Sequence, residues 1–197
     1  MGIVELDGKL AANKTAIIDL LNRVKRDGID KLIKWLEESD YFYAPASRQY
    51  HGAYPGGLAE HSLNVFRELK RLSKAYPEIE CTEENIIISA LLHDICKVNF
   101  YASEKRNRKN DEGKWEQYDS YSIKEKFHYG GHGQKSVFLA QKFVNLTIEE
   151  AVAINNHMSA FQGNANDVGA AFEQFPFAWL LSVADQAATY VIESGNV

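Results

Sequence analysis

The chain has 197 residues, 45% of them hydrophobic and 25% charged, which suits one ordinary globular domain and not a disordered, fibrous or disulfide-stapled chain. Twenty-two Lys and Arg against 27 Asp and Glu give a formal charge of −5, so a basic field over the whole protein that would hold nucleic acid is excluded and only a local patch remains. Two cysteines, Cys81 and Cys96, with no C-x-x-C spacing, argue against a disulfide framework and a thiolate zinc site and suit a reducing compartment.

The N-terminus carries Glu5 and Asp7 and lacks the pattern of a signal peptide. The longest aliphatic run, Ile86 to Leu92, is far short of the roughly 20 residues that span a bilayer. The expected location is therefore the cytoplasm, without membrane contact. In chain order, Ile17, Leu20, Leu21 and Val24 recur at helical spacing, as do Ile29, Leu32, Ile33 and Leu36, with Asp27-Gly28 separating the two helices. A loop from Tyr41 to Gly57 leads into a third helix, about Leu58 to Tyr76, closed by Pro77. Thr82 opens a fourth, expected to run to about Val98. The polar stretch from 103 to 126 turns at Asn110-Asp111-Glu112-Gly113 and predicts a small β-hairpin. Gly130-Gly131-His132-Gly133 opens a helix, Thr147 to about Met158 forms another behind a capping box, and Phe177 to Ile192 forms the last after a Gly/Asn-rich loop. No repeat or low-complexity segment interrupts this order.

The chemistry lies in where the histidines and acids fall. His61 shares a helix stripe with Leu58, Val65, Leu69 and Leu72 and faces inward. Asp94 shares a face with Ala90 and Leu91, its neighbour His93 lies about 100° round, and Asp185 sits with Leu181, Ala188 and Ile192. A lone inward histidine is ordinarily a hydrogen-bonded core residue. An inward carboxylate among alanines and leucines, however, needs a cation, a metal or a hydrogen-bond network, because its desolvation is expensive. Imidazole with carboxylate suits Zn, Fe, Mn, Ni or Co better than Mg or Ca.

The order H…HD…D resembles the signature of the HD superfamily of metal-dependent phosphohydrolases. Tyr54-Pro55-Gly56-Gly57-Leu58-Ala59-Glu60-His61-Ser62 resembles a segment of the HD domains attached to bacterial exoribonucleases. Ala90-Leu91-Leu92-His93-Asp94-Ile95-Cys96-Lys97 resembles ALLHDIGK with Cys96 in place of the usual glycine, and Leu181-Ser182-Val183-Ala184-Asp185 resembles the closing helix. The resemblance implies an all-α HD-domain bundle with the hairpin inserted, a single domain over 1–197. Its core would be 48–192, the insertion about 103–126, and the helices of 1–47 would cover one side of the site or form an interface.

His132 and His157 extend the order to H…HD…H…H…D, the pattern of two-metal members. It implies that His61, His93 and Asp185 hold one ion, His132 and His157 the other, and that Asp94 bridges them. The cofactor would be a divalent transition metal, two ions of Fe, Mn, Ni, Co or Zn. Lys97 is expected, by the same resemblance, to contact substrate phosphate. Arg48 and His51, in the loop before the His61 helix, are candidates for phosphate contact or for tying that loop down; His128 is assigned no role. The basic run Lys105 to Lys109 reads as a solvated loop, with substrate guidance as its second reading.

The implied activity is hydrolysis of a phosphoester by metal-activated water. The implied partner is a small phosphorylated molecule, a nucleotide or cyclic nucleotide, with a nucleic-acid end as the other option. No GYP motif follows the HD pair, so the likeness to cyclic-di-GMP phosphodiesterases is incomplete. The alternative is a diiron oxygenase of the inositol-oxygenase type, which uses the same ligand order.

Overall fold

The computed structural model describes residues 3–125, 130–161 and 164–194; His128 lies outside them. Eight α-helices and one hairpin are present among the described residues. They are α1 (Ile3–Leu21), α2 (Ile29–Glu38), α3 (Gly57–Ala75), α4 (Glu83–Leu92), β1 (Tyr101–Lys109), β2 (Trp115–Ile123), α5 (His132–Ala140), α6 (Ile148–Asn156), α7 (Ala165–Gln174) and α8 (Pro176–Ala187). No described helix is long and apolar enough to cross a membrane.

The architecture follows from α4. From Ile86 to Leu92 every residue is buried, and a helix apolar on all sides can only sit in the middle of the bundle. Helices α1, α3 and α6 surround it, and α3 and α6 both pack against α8. Thr82 accepts from the Asn85 N–H at 3.1 Å while the Asn85 side chain accepts from the Thr82 N–H at 2.8 Å, a reciprocal cap that starts α4. Thr147 and Glu150 start α6 in the same way.

Helix α4 stops earlier than its periodicity suggests. The expected run to Val98 ends at Leu92, because Asp94 leaves helical geometry (φ −111°, ψ 18°) and a tight turn over Ile95–Lys97 follows. The Tyr41 hydroxyl, from the segment between α2 and α3, donates to the Leu91 carbonyl at 2.9 Å and so satisfies an acceptor in the last turn. The chain bends in the protein centre, directly after His93-Asp94.

Two other differences have local causes. The Gly/Asn-rich segment expected to be loop contains α7, which begins where the Asn164 side chain accepts from the Asn166 N–H at 3.0 Å. The last helix is regular only to Ala187. Over Ala188–Ile192 it widens into a π-helical turn closed by the Glu193 N–H on the Ala188 carbonyl at 3.0 Å.

The hairpin pairs Tyr101 with Ile123 through Lys109 with Trp115, and Gly113 (φ 75°) makes the turn. Tyr101 and Tyr121 pack with Phe100 in a small cluster at its base. The basic run is answered by acids: Lys105 pairs with Asp119, Arg106 with Glu104, and Arg108 with Glu116 at 2.6 Å. Such pairing offsets three of the four basic side chains in the run, and Lys109 lies over the Trp115 ring.

The helix starts are tied together at Glu150, whose side chain is fully buried. It accepts from Arg26 Nη1 and Nη2, both at 2.7 Å, from the Thr147 N–H at 2.9 Å and from Asn85 Nδ2 at 2.9 Å. Arg26 also donates to Glu84 at 3.1 Å. One guanidinium thus locks the turn after α1 to the starts of α4 and α6. Arg26→Met is expected to cost about 3 kcal/mol, since it strands a buried carboxylate; urea denaturation measures it, and a loss below about 1 kcal/mol would leave Glu150 satisfied by its other donors.

Candidate metal centre

Five elements bring the six candidates together. His61 comes from α3, His93 and Asp94 from the break after α4, His132 from the first residue of α5, His157 from the end of α6, and Asp185 from α8. All but His132, which is half-buried, are buried.

Close packing at the glycines makes the convergence possible. Gly56 (φ 83°) precedes α3 in the left-handed region that favours glycine. A Cβ on Gly133 would lie 2.1 Å from the Asn155 carbonyl oxygen, so only glycine lets the start of α5, bearing His132, approach the end of α6, bearing His157.

Hydrogen bonds set the ring orientations. His93 Nδ1 donates to the Ala90 carbonyl at 2.8 Å, and His157 Nδ1 donates to the Ile154 carbonyl at 2.7 Å. A carbonyl can only accept, so the proton of each neutral ring is on Nδ1 and Nε2 keeps its lone pair. The two Nε2 atoms face the carboxylates. His93 Nε2 is 3.4 Å from Asp94 Oδ2 and 3.2 Å from His61 Nε2; His157 Nε2 is 3.6 Å from Asp94 Oδ1; His61 Nε2 is 3.1 Å from Asp185 Oδ1.

Asp94 is the common centre. Only 3% exposed, it pairs with Lys97 Nζ at 2.5 Å through Oδ2, while Oδ1 is buried with no hydrogen-bond partner. His157 Nε2 is likewise buried without one. Burial pushes the Asp94 carboxyl up, but the adjacent Lys97 ammonium outweighs it and holds it well below the usual range. Burial opposes the charge on Lys97, yet Asp94 raises its pKa above the ordinary lysine value. Asp185 is held low against its own burial by the hydrogen bond and charge of His61.

Four close donor sets among the described residues could each hold an ion: His61, His93 and Asp94; His93, His157 and Asp185; Asp94, Cys96 and His132; and His51, His61 and Glu193. Close contact brings His157 near His93 and Asp185, and His132 near Cys96 and Asp94, so Asp94 lies within reach of both His132 and His157. Cys96 Sγ lies 3.4 Å from His132 Nδ1, a contact the motif reading registered only as a replaced glycine. Burial pushes the Cys96 thiol up to about 12.

The remaining candidates divide. Lys97 and His51 line the cleft that opens over Asp94, His157 and Asp185; Arg48 is exposed and outside that lining. The His51 ring lies 4.8 Å from that of His61. Burial, then the charges of His61 and Lys97, hold His51 down to about 4, so it is neutral at physiological pH.

Glu193 is the residue that motif reading missed. It is buried, stands 3.1 Å from His61 Nδ1, and accepts from Asn64 Nδ2 at 2.9 Å. It follows Asp185 by eight residues, which on a regular helix would turn it about 80° away. The π turn absorbs one extra residue, so position 193 returns to the Asp185 face. Burial opposes charge on His61, but Asp185 and Glu193 raise its pKa to about 10.

The family description that matches this chain is "HD domain", over residues 58–189. The chain belongs to the HD superfamily of metal-dependent phosphohydrolases. It is also similar to a protein of Methanocaldococcus jannaschii named dihydroneopterin 2',3'-cyclic phosphate phosphodiesterase, 37% identical over 83 residues. The match covers 41% of this chain and 31% of that relative, so the chain spans about a third of the relative's length. No solved structure matches.

In metal-free protein, His61 raised to about 10 stabilises the fold most fully below its unfolded value of about 6.5, and that stabilisation is lost as pH climbs through about 10. Glu193→Ala removes one of the two opposing carboxylates, so the His61 midpoint is expected to fall by more than about one unit. NMR titration of the His61 ring in chelator reads it; an unchanged midpoint would remove Glu193 from this role.

Proposed function

We propose that the chain hydrolyses a phosphate ester of a small, nucleotide-like molecule, using divalent metal held by the converged donors. The observation that carries this reading is the pair of buried atoms without hydrogen-bond partners, Asp94 Oδ1 and His157 Nε2, 3.6 Å apart. With the His157 ring neutral both atoms are acceptors and cannot satisfy each other, whereas a cation satisfies both. The name of the archaeal relative supports a phosphodiester, and the cyclic phosphate of a heterocyclic compound is the substrate class adopted here.

In this reading His61, His93, Asp94 and Asp185 hold one ion, and His132 and His157, sharing Asp94, hold a second of the same class: Fe, Mn, Ni, Co or Zn. Bound metal supplies positive charge for the phosphoryl oxygens and a water of lowered pKa. Lys97, protonated and lining the cleft, donates to a phosphoryl oxygen and stabilises charge as it develops there. His51, neutral, donates its one ring N–H to an oxygen of the same phosphate. Glu193, through its hydrogen bond to His61 Nδ1, orients that ring with Nε2 toward the carboxylates. Leu91, Leu92 and Ile95, which flank His93 and Asp94 in the chain, are fully buried.

The test is metal content per chain on protein purified anaerobically without chelator or metal-binding tag, with His132→Ala and Asp94→Asn alongside. Two equivalents are expected, falling toward one in His132→Ala and toward none in Asp94→Asn. Release of product from a 2',3'-cyclic nucleotide is expected to fall at least about a thousandfold in Asp94→Asn and to be indifferent to dioxygen. One equivalent untouched by His132→Ala would reduce the site to a single ion. Turnover that requires dioxygen on iron-loaded protein would replace hydrolysis with the oxygenase chemistry.

Lys97→Ala is expected to lower turnover about a hundredfold while metal content holds. Loss of metal together with turnover would make Lys97 a support of Asp94 and not a phosphate contact.

A further inference from the structure

The cleft above Asp94 has a volume of about 680 Å³. That is far more than a phosphate group fills. Its charged and metal-ligating groups are deep: Asp94, Lys97, His157 and Asp185 are all buried. Its outer wall is of another kind. Tyr50, Phe161 and Tyr190 line the same cleft and are 69%, 75% and 63% exposed.

These rings come from three separate elements: the loop before α3, the turn after α6, and the π turn after α8. Large exposed aromatic rings that gather at one cleft mark a ligand surface more than they mark packing. Polar groups stand beside them. Gln186 commits its NH₂ to the Ser182 carbonyl and hydroxyl, at 3.2 and 3.1 Å, which leaves its amide oxygen as an acceptor, and Thr189 lines the same wall. Stacking surfaces with hydrogen-bonding groups at their edge fit a planar heterocycle rather than a sugar or an alkyl chain.

We infer that Tyr50, Phe161 and Tyr190 form a subsite for a flat nitrogen heterocycle, joined to the phosphate that occupies the deep end of the cleft. The inference takes the position of the phosphate from the phosphohydrolase reading, but the ring subsite is tested by binding and stands or falls separately. The π turn serves both ends: it returns Glu193 to His61 in the interior and leaves Tyr190 on the cleft wall.

The experiment compares adenosine 5'-monophosphate and guanosine 5'-monophosphate with ribose 5-phosphate, by titration calorimetry on the manganese-reconstituted chain. At least one nucleotide is expected to bind about tenfold or more tightly than the ring-free phosphate. Tyr190→Ala and Phe161→Ala are each expected to shrink that ratio about fivefold or more, while Tyr190→Phe, which keeps the ring, retains it. Because these side chains are exposed, thermal melts of the variants should match the parent. Equal affinity for ribose 5-phosphate and both nucleotides would overturn the subsite, as would a ratio unmoved in both alanine variants. Hydrolysis is followed in parallel on 2',3'-cyclic AMP and on a ring-free cyclic phosphate. Ring preference in binding without turnover on either would keep the subsite and sink the hydrolase; equal turnover with and without the ring would do the reverse.

Discussion

A carboxylate buried at the centre of a helical bundle sets the terms for the rest of this molecule. Asp94 is nearly inaccessible, and a charge in that position costs several kcal/mol unless other groups compensate it. The fold responds by placing Lys97, three imidazoles and a second carboxylate around it. Much of the architecture can be read as the means of delivering those groups: an all-apolar α4 that must occupy the middle, a break directly after His93-Asp94, and glycines that let α5 approach α6. The same burial that makes Asp94 costly also makes its electrostatics strong, because few waters screen it.

The site is organised in depth. Backbone carbonyls of Ala90 and Ile154 fix the protons of His93 and His157 on Nδ1, so both Nε2 atoms face the carboxylates before anything binds. Glu193 does the same for His61 from outside the motif. Preorganisation of this kind matters for metal affinity because the ligands need not be reoriented at the moment of binding. Above this layer the cleft changes from charged to aromatic, a division that suits a ligand with a phosphate at one end and a flat ring at the other.

Helix periodicity, the capping boxes at Thr82 and Thr147, and the hairpin turn at Asn110 to Gly113 were legible in the sequence because each depends on residues within a few positions of one another. So was the inward set of His61, His93, Asp94 and Asp185, since polar residues on apolar stripes stand out by contrast. Segments whose structure depends on distant partners read less well. Helix α7 is hidden behind glycine and asparagine and has little buried surface of its own to leave a periodic trace. The end of α4 follows a backbone bend at Asp94 and a hydroxyl from Tyr41, fifty residues away.

The sequence by itself determined the family, the helical class, the inserted hairpin and the six candidate ligands, because residue type and spacing along a helix carry that information directly. Tertiary structure alone showed which donors lie in close contact, with His132 beside Cys96 and His157 near His93 and Asp185. It alone excluded Arg48 from the cleft lining and brought in Glu193. The physical reason is that these are contacts between helices, fixed to tenths of an ångström by packing and by one π turn, and side chains so placed have no spacing rule to announce them.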